Sequence, residues 1–250
     1  MADIAPARTR VAQTIIDTAR AVLRRAGVDL VRYPQIPPQH ISNYLRLLRI
    51  DTVLDVGANS GQYAMHLRRG GYQGRIISFE PGCKAFDALQ KNARGDSLWI
   101  CHKLALGDQD GELVLQIAEA SEFSSFLPLT EWVLESDPNA QTRTEERVPV
   151  ATLDTFWPTY NLGQSRVLLK LDTQGFERQI LLGAARSLEH ITGIQLELSL
   201  RTAYVGQPMI EEMLPLLRTL GFELFAVYEG FRQSNSTRLI ELDGLFFRSC

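Results

Sequence analysis

The chain has 250 residues, 45% of them hydrophobic and 22% charged, with a formal net charge of -3 and a pI near 5.9. That length and apolar content suffice to bury the core of one α/β domain. The acidic balance argues against broad, non-specific nucleic-acid binding, which wants a basic face, and no apolar run approaches the roughly 20 residues that span a bilayer.

Residues 9–26, TRVAQTIIDTARAVLRRA, set Val11, Ile15, Ile16, Ala19, Val22, Leu23 and Ala26 along one helical stripe, with Arg10, Arg20, Arg24 and Arg25 around it. A basic amphipathic helix can touch an anionic membrane surface or a partner. The favoured reading is a helix packed on its own domain with a solvated basic face. "PQIPP" at 34–38 interrupts the chain and "HISNYLRLLRI" restarts a short helix. Residues 1–50 therefore read as a helical extension and 51–250 as the main domain. Cys83, Cys101 and Cys250 form no CxxC pair and no metal-ligand pattern with the four histidines. Such sparse cysteines suit a reducing compartment, and "MADIAPARTR" lacks a signal-peptide core, so a cytoplasmic location is expected.

From Asp51 the pattern becomes regular. Strands are expected over 52–56, 75–79, 99–104, 167–171, 194–198, 223–228 and 238–247. Helices are expected over 62–69, 85–93, 177–188 and 209–220. The first five strands are short and mostly apolar, as strands buried on both faces must be. Alternation with helices predicts a doubly wound, mainly parallel sheet. The last two are joined by a loop too short for a crossover helix and should pair antiparallel. A parallel sheet closed by an antiparallel C-terminal hairpin is the seven-stranded, Rossmann-like arrangement of class I methyltransferases. Residues 109–165 form an insertion with a hairpin, "GELVLQIA" then "ERVPVATL", expected to cap the acceptor side.

In open α/β sheets ligands bind beyond the carboxyl ends of the strands. The first strand ends in "VLDVGANSGQY". A dinucleotide fingerprint would need glycine where Asn59 and Gln62 stand, and Gly57 to Gly61 is one residue short of a P-loop. What remains is D-x-G-x-x-x-G: Asp55, Gly57, Gly61. An acid at the strand tip can attract an ammonium directly or through water, while the glycines let backbone pass close to a ligand. S-adenosylmethionine has that shape and charge. Glu80 closes the second strand in "IISFEP", placed to accept both hydroxyls of a ribose, and Pro81 stiffens the turn. The alternative for Glu80 is a helix-start acid favoured by the dipole. After the third strand, "LALGD" places Ala105 and Leu106 to pack on an adenine, with Asp108 near its amine.

These segments carry a resemblance. "LDVGANSGQYAMHLRRGGYQGRIISFEP", "ALGD", "SSFL", "VATLD", "LLKLDTQGFERQILLGA", "LELS" and "DGLFFR" together resemble the FkbM family of S-adenosylmethionine-dependent methyltransferases, from about residue 41 onward. The resemblance implies an O-methyltransferase acting on hydroxyls of sugars, glycolipids or natural products. It gives cofactor roles to Asp55, Gly57, Asn59, Gly61 and Glu80. Ala58, Tyr63, Pro81, Ala105 and Leu106 complete the expected cofactor set. A small-molecule or glycan acceptor with a free hydroxyl is the expected partner.

The fourth strand, "VLLKLDTQGFE", puts Lys170 two residues before Asp172, on one face of a central strand. A buried lysine or aspartate is costly unless paired. Glu197 ends the fifth strand, so Lys170, Asp172 and Glu197 are expected to form one charged cluster at the cleft floor. Asp172 is the first candidate base for an acceptor hydroxyl and Glu197 the second. Lys170 and Glu197 read equally well as a structural ion pair, and Glu177 as a first-turn acid. His102 reads as structural. A hard divalent cation wants about six oxygens; two carboxylates are in view, and no metal is assigned. Ser124, Ser125, Phe123, Phe126, Trp132 and Tyr204 are candidates for the acceptor side; for each insertion residue the favoured reading is a mobile lid with its hydrophobic residues packed beneath, and Tyr204 reads equally as a loop cap. The rival classes are a silent S-adenosylmethionine-binding protein and an NAD-dependent oxidoreductase.

Overall fold

A computed structural model describes residues 41–233 and 238–248 of the chain. The helix expected over 9–26 and the break at 34–38 lie outside the described residues. The described chain opens with α1 (Ile41–Leu47), β1 (Thr52–Val56), α2 (Gln62–Arg69), β2 (Arg75–Phe79), α3 (Cys83–Asn92) and β3 (Trp99–His102). Next come β4 (Ala105–Leu106), β5 (Gly111–Ala118), α4 (Glu131–Ser136), β6 (Thr142–Ala151) and α5 (Leu153–Phe156). The remainder is β7 (Val167–Leu171), α6 (Glu177–Leu182), β8 (Ile191–Ser199), α7 (Ile210–Thr219), β9 (Phe222–Glu229) and β10 (Glu241–Arg248).

Seven strands form one sheet in the order β3-β2-β1-β7-β8-β10-β9. The first five are parallel, and β10 runs antiparallel to both β8 and β9. The order reverses between β1 and β7. Both are buried along their full length, which is why TVLDV and VLLKL are apolar runs interrupted only by Thr52, Asp55 and Lys170. Two apolar clusters cover the faces. Leu54, Val56, Ile77, Leu169 and Phe246 pack with α6 and α7 on one side. Val53, Leu67, Leu89, Leu168 and Phe247 pack with α1, α2 and α3 on the other.

A second sheet, β4-β6-β5, stands over the carboxyl edge of the first. β5 and β6 form the expected antiparallel pair, and β6 also runs parallel to β4, pairing Ala105 with Val150 and Leu106 with Ala151. That pairing ends β3 at His102, two residues before the expected boundary, because the chain leaves the main sheet to join the second. α6 stops at Leu182, with Gly183 as its cap, and Ser187–His190 resumes as a single 3-10 turn. The last strand begins at Glu241, three residues later than expected. Among the described residues no helix is long and apolar enough to cross a membrane.

Candidate active site

A cavity of about 710 Å³ opens beyond the carboxyl ends of β1, β2 and β7, roofed by β4, β5 and the segment after β5. Of the residues singled out for a cofactor, it gathers Gly57, Ala58, Asn59, Tyr63, Glu80, Pro81, Ala105 and Leu106 on its walls. Lys170 and Asp172 line it as well. Asp55, Gly61 and Glu197 do not reach it.

Glu80 is 8% exposed, and both of its carboxylate oxygens accept backbone N–H groups. Asn59 N–H donates to Oε2 at 2.8 Å, and Gly82 N–H to Oε1 at 2.8 Å. Each oxygen keeps a further lone pair for a donor in the cavity. Burial pushes this carboxyl up to about 7, against the two backbone hydrogen bonds that favour its ionised form. Asn59 takes a left-handed backbone, φ 46°, and its carboxamide meets Ser121 Oγ at 3.0 Å across the mouth.

The two motif glycines answer to packing. A Cβ at Gly61 would meet the Trp99 ring at 2.7 Å and Leu89 at 2.9 Å, and its φ is 89°. Gly57 lets the loop after β1 touch the loop after β7. Their expected role of passing close to a ligand belongs, at Gly61, to protein instead.

Lys170 is the hub of the floor. Its ammonium lies 3.2 Å from Asp55 Oδ1 and 3.1 Å from Asp172 Oδ2, and 5.2 Å from the centre of the Tyr63 ring. Burial alone would depress this lysine, but the Asp172 and Asp55 carboxylates outweigh it and hold the group above its ordinary range. Asp55 is 0% exposed and also accepts from Ser78 Oγ at 3.1 Å. Asp55 is therefore not placed for direct contact with a ligand ammonium: its carboxylate pairs with Lys170, which leaves the indirect attraction. One ammonium between two carboxylates leaves the group net negative, so the floor still attracts a cation.

Asp172 faces the cavity with its side chain 36% exposed. Its Oδ1 accepts from Gln174 Nε2 at 2.9 Å, and the same amide nitrogen donates to Glu197 Oε2 at 3.1 Å. Glu197 thus joins the cluster through Gln174 rather than by pairing with Lys170. Burial, then repulsion by Asp172, Glu241, Glu177 and Asp243, pushes the Glu197 carboxyl well above its ordinary range. Glu197 stands off the cavity wall, whereas Asp172 faces the cavity. Reach to the reacting hydroxyl is the first requirement of a general base, and on that ground Asp172 stands ahead of Glu197.

Glu177 is buried and accepts from Thr173 N–H, Thr173 Oγ and Gly175 N–H, closing the turn after β7. His102 stacks on Phe79 and meets the Tyr160 hydroxyl at 2.7 Å, within an aromatic cluster away from the floor. Asp108 is exposed and outside the cavity, because the chain turns out to follow β6 after Leu106. From the insertion, Ser124, Ser125 and Phe126 line the cavity. Phe123 and Trp132 do not; they pack with Val133, Ala140, Ala203 and Tyr204. Tyr204 is 1% exposed, and its hydroxyl donates to Gln174 Oε1 at 2.8 Å. Gln174, at φ 55°, was not singled out from sequence; its one signal is a side chain able both to donate and to accept, set between carboxylates in "LDTQGFE". Among the described residues no group of three or more His, Cys, Asp or Glu could hold a metal ion.

The strand order, with its reversal at β1 and β7 and its antiparallel last hairpin, is that of a class I, Rossmann-like methyltransferase. A family model described as "Methyltransferase FkbM domain" matches residues 55–224, more than half of the chain. The chain belongs to this family of S-adenosylmethionine-dependent methyltransferases. No curated protein gives a significant match. Solved structures similar to it include a protein from Klebsiella pneumoniae assigned as an O-methyltransferase, at 11% identity and TM-score 0.47, over 94% of this chain and 90% of that one. Magnesium protoporphyrin IX methyltransferase from Synechocystis PCC 6803 with bound SAM matches at 12% identity and TM-score 0.46, over 99% of this chain and 100% of that one. The family assignment rests on the family model and the sheet topology, not on these likenesses.

Proposed function

We propose that this methyltransferase acts on a hydroxyl of a sugar or glycosylated natural product, with Asp172 taking the hydroxyl proton. The supporting observation is the setting of Asp172: its carboxylate faces the cavity beside the Gly57 loop, with both oxygens held by Lys170 and Gln174. When bound, S-adenosylmethionine supplies an electrophilic methyl group, and the transfer is an in-line displacement.

The donor set fits that group. Glu80 offers two free lone pairs to a diol, and Ala105 and Leu106 offer an apolar wall to a planar base. The net-negative Asp55–Lys170–Asp172 group offers a field to the cationic end. Gly57, Ala58, Asn59, Tyr63 and Pro81 shape the rest of the wall. On the acceptor side, Ser124 presents a hydroxyl and Phe126 an apolar face. Fixing acceptor oxygen and base in one geometry contributes up to about 7–11 kcal/mol through effective molarity. Cys83 and Cys101, free among the described residues, suit a reducing compartment, and we place the reaction in the cytoplasm.

The test is methyl transfer from isotope-labelled S-adenosylmethionine to a panel of mono- and oligosaccharides and glycosylated polyketides, read by product mass and by the position of the label. Label on a hydroxyl oxygen supports the reading. Label on nitrogen or carbon overturns it, and S-adenosylhomocysteine binding without transfer to any of them would mark a binding protein.

A further inference from the structure

Gln174 stands where three parts of the site meet, and both polar atoms of its side chain and its backbone carbonyl are engaged. Its Nε2 donates to Asp172 Oδ1 at 2.9 Å and to Glu197 Oε2 at 3.1 Å. Its Oε1 accepts from the Tyr204 hydroxyl at 2.8 Å, and its backbone carbonyl accepts from Ser125 Oγ at 2.7 Å. The reversed amide would set an oxygen against Asp172 and Glu197, so those two acceptors fix which end is which, and the Tyr204 hydroxyl donates to the oxygen left on the other side. Tyr204 is itself immobilised: it is 1% exposed, and its backbone N–H donates to Gln207 Oε1 at 3.3 Å. Ser125 comes from the insertion and is 2% exposed.

The backbone of Gln174 is left-handed, at φ 55°. Such a conformation in a residue other than glycine, asparagine or aspartate is strained and persists only where its surroundings hold it. Ser125 and Tyr204 are those surroundings. The consequence falls on Asp172, whose second oxygen is bound by Lys170 at 3.1 Å. With one oxygen on Lys170 and the other on Gln174, the carboxylate has a single orientation toward the cavity.

We propose that Gln174 is the positioning residue of the reaction: held by Tyr204 and by Ser125 of the insertion, it fixes the orientation in which Asp172 meets the acceptor hydroxyl. This rests on the reading of Asp172 as the base. It also links the insertion to the base, so an acceptor that moves Ser125 moves Asp172.

The test uses Gln174→Asn in the full chain. Asparagine adopts the left-handed region more readily than glutamine, so a role limited to shaping the turn predicts full stability and full activity. The side chain is shorter by one bond, roughly 1.5 Å, and cannot reach both carboxylates. In crystals of this variant, Asp172 is expected to leave the orientation it has in wild type. Its thermal midpoint and S-adenosylhomocysteine affinity should match wild type, while kcat falls at least tenfold with KM for S-adenosylmethionine unchanged. Tyr204→Phe, which frees the amide without shortening it, should lower kcat in the same way but less. An Asp172 orientation identical in wild type and Gln174→Asn, or an unchanged kcat, overturns the proposal. Should wild type transfer to none of the acceptors, the proposed function falls, and the crystal comparison alone decides the placement of Asp172.

Discussion

A Cβ added at Gly57 would lie 1.8 Å from the backbone carbonyl oxygen of Asp172. The loops after β1 and β7 thus meet backbone to backbone, reinforced by the Asp172 N–H donating to the Val56 carbonyl at 3.1 Å. With φ at +74°, Gly57 is also in the region that side chains disfavour. Gly57→Ala carries strain of about 1–3 kcal/mol from the backbone and a similar overpacking cost. The expected loss is about 3 kcal/mol or more, read as a lower urea midpoint, and S-adenosylhomocysteine binding should disappear with it. Wild-type stability in this variant would show that the two loops do not touch in solution.

The parts of this fold written plainly in the sequence are those with a period. β1, β2 and β7 fall on the expected boundaries because strands buried on both faces are continuous apolar runs. The acids ending β1 and β2 were equally visible. Which partner each acid takes was not, because Asp55 meets Lys170 from a strand more than a hundred residues away. Gln174 escaped notice for the same reason: a glutamine in a turn has no periodic signature, and its meaning comes from Asp172, Glu197 and Tyr204 together. Trp132 takes the packed reading rather than that of a ligand platform. Here its indole N–H donates to the Thr202 carbonyl at 2.7 Å and its ring carries Arg201.

Glu80 should make cofactor affinity depend on pH near neutrality. Its carboxyl is raised to about 7 by burial. Ribose hydroxyls donate to the ionised form, so affinity is complete above that value and declines as pH falls through it. S-adenosylhomocysteine should bind about tenfold more weakly at pH 6 than at pH 8. Glu80→Ala should weaken binding at least tenfold at pH 8, about 1.4 kcal/mol, and abolish the dependence. The apo protein behaves oppositely, because a raised carboxyl disfavours ionisation in the fold: the Glu80 contribution to stability is lost as pH climbs from the ordinary carboxylate range to about 7. Isothermal titration at several pH values checks the first part; a flat profile in wild type would remove Glu80 from the ribose.

Lys170 holds two carboxylates, one of them 0% exposed. Lys170→Met leaves Asp55 buried without a counter-charge, and breaking such a pair costs about 3–5 kcal/mol. Urea denaturation should show that loss. Adding Asp55→Asn removes the stranded charge and should recover part of it, raising the midpoint above that of Lys170→Met alone. If the double variant is no more stable than the single one, the pair is not the source of the cost.

Asp172 and Glu197 share one donor, Gln174, yet should respond in opposite ways to neutralisation. Asp172→Asn keeps the shape and removes the base, so kcat should fall by about 10²–10⁴-fold, while S-adenosylhomocysteine affinity falls far less, because the floor loses one charge but Glu80 and the apolar wall are untouched. Glu197→Gln copies the protonated form toward which burial and its acidic neighbours already drive that carboxyl. Its kcat should stay within about tenfold of wild type, a loss of no more than about 1.4 kcal/mol. The sign for stability follows from the same shift: with the folded-state value raised, stability is lost as pH rises through the range between the ordinary carboxylate value and the raised one. Glu197→Gln escapes that loss and should unfold at a higher urea concentration than wild type at alkaline pH. A rate collapse in Glu197→Gln with an active Asp172→Asn would exchange the roles of the two carboxylates, and would move the acceptor from the wall at β7 to the tip of β8.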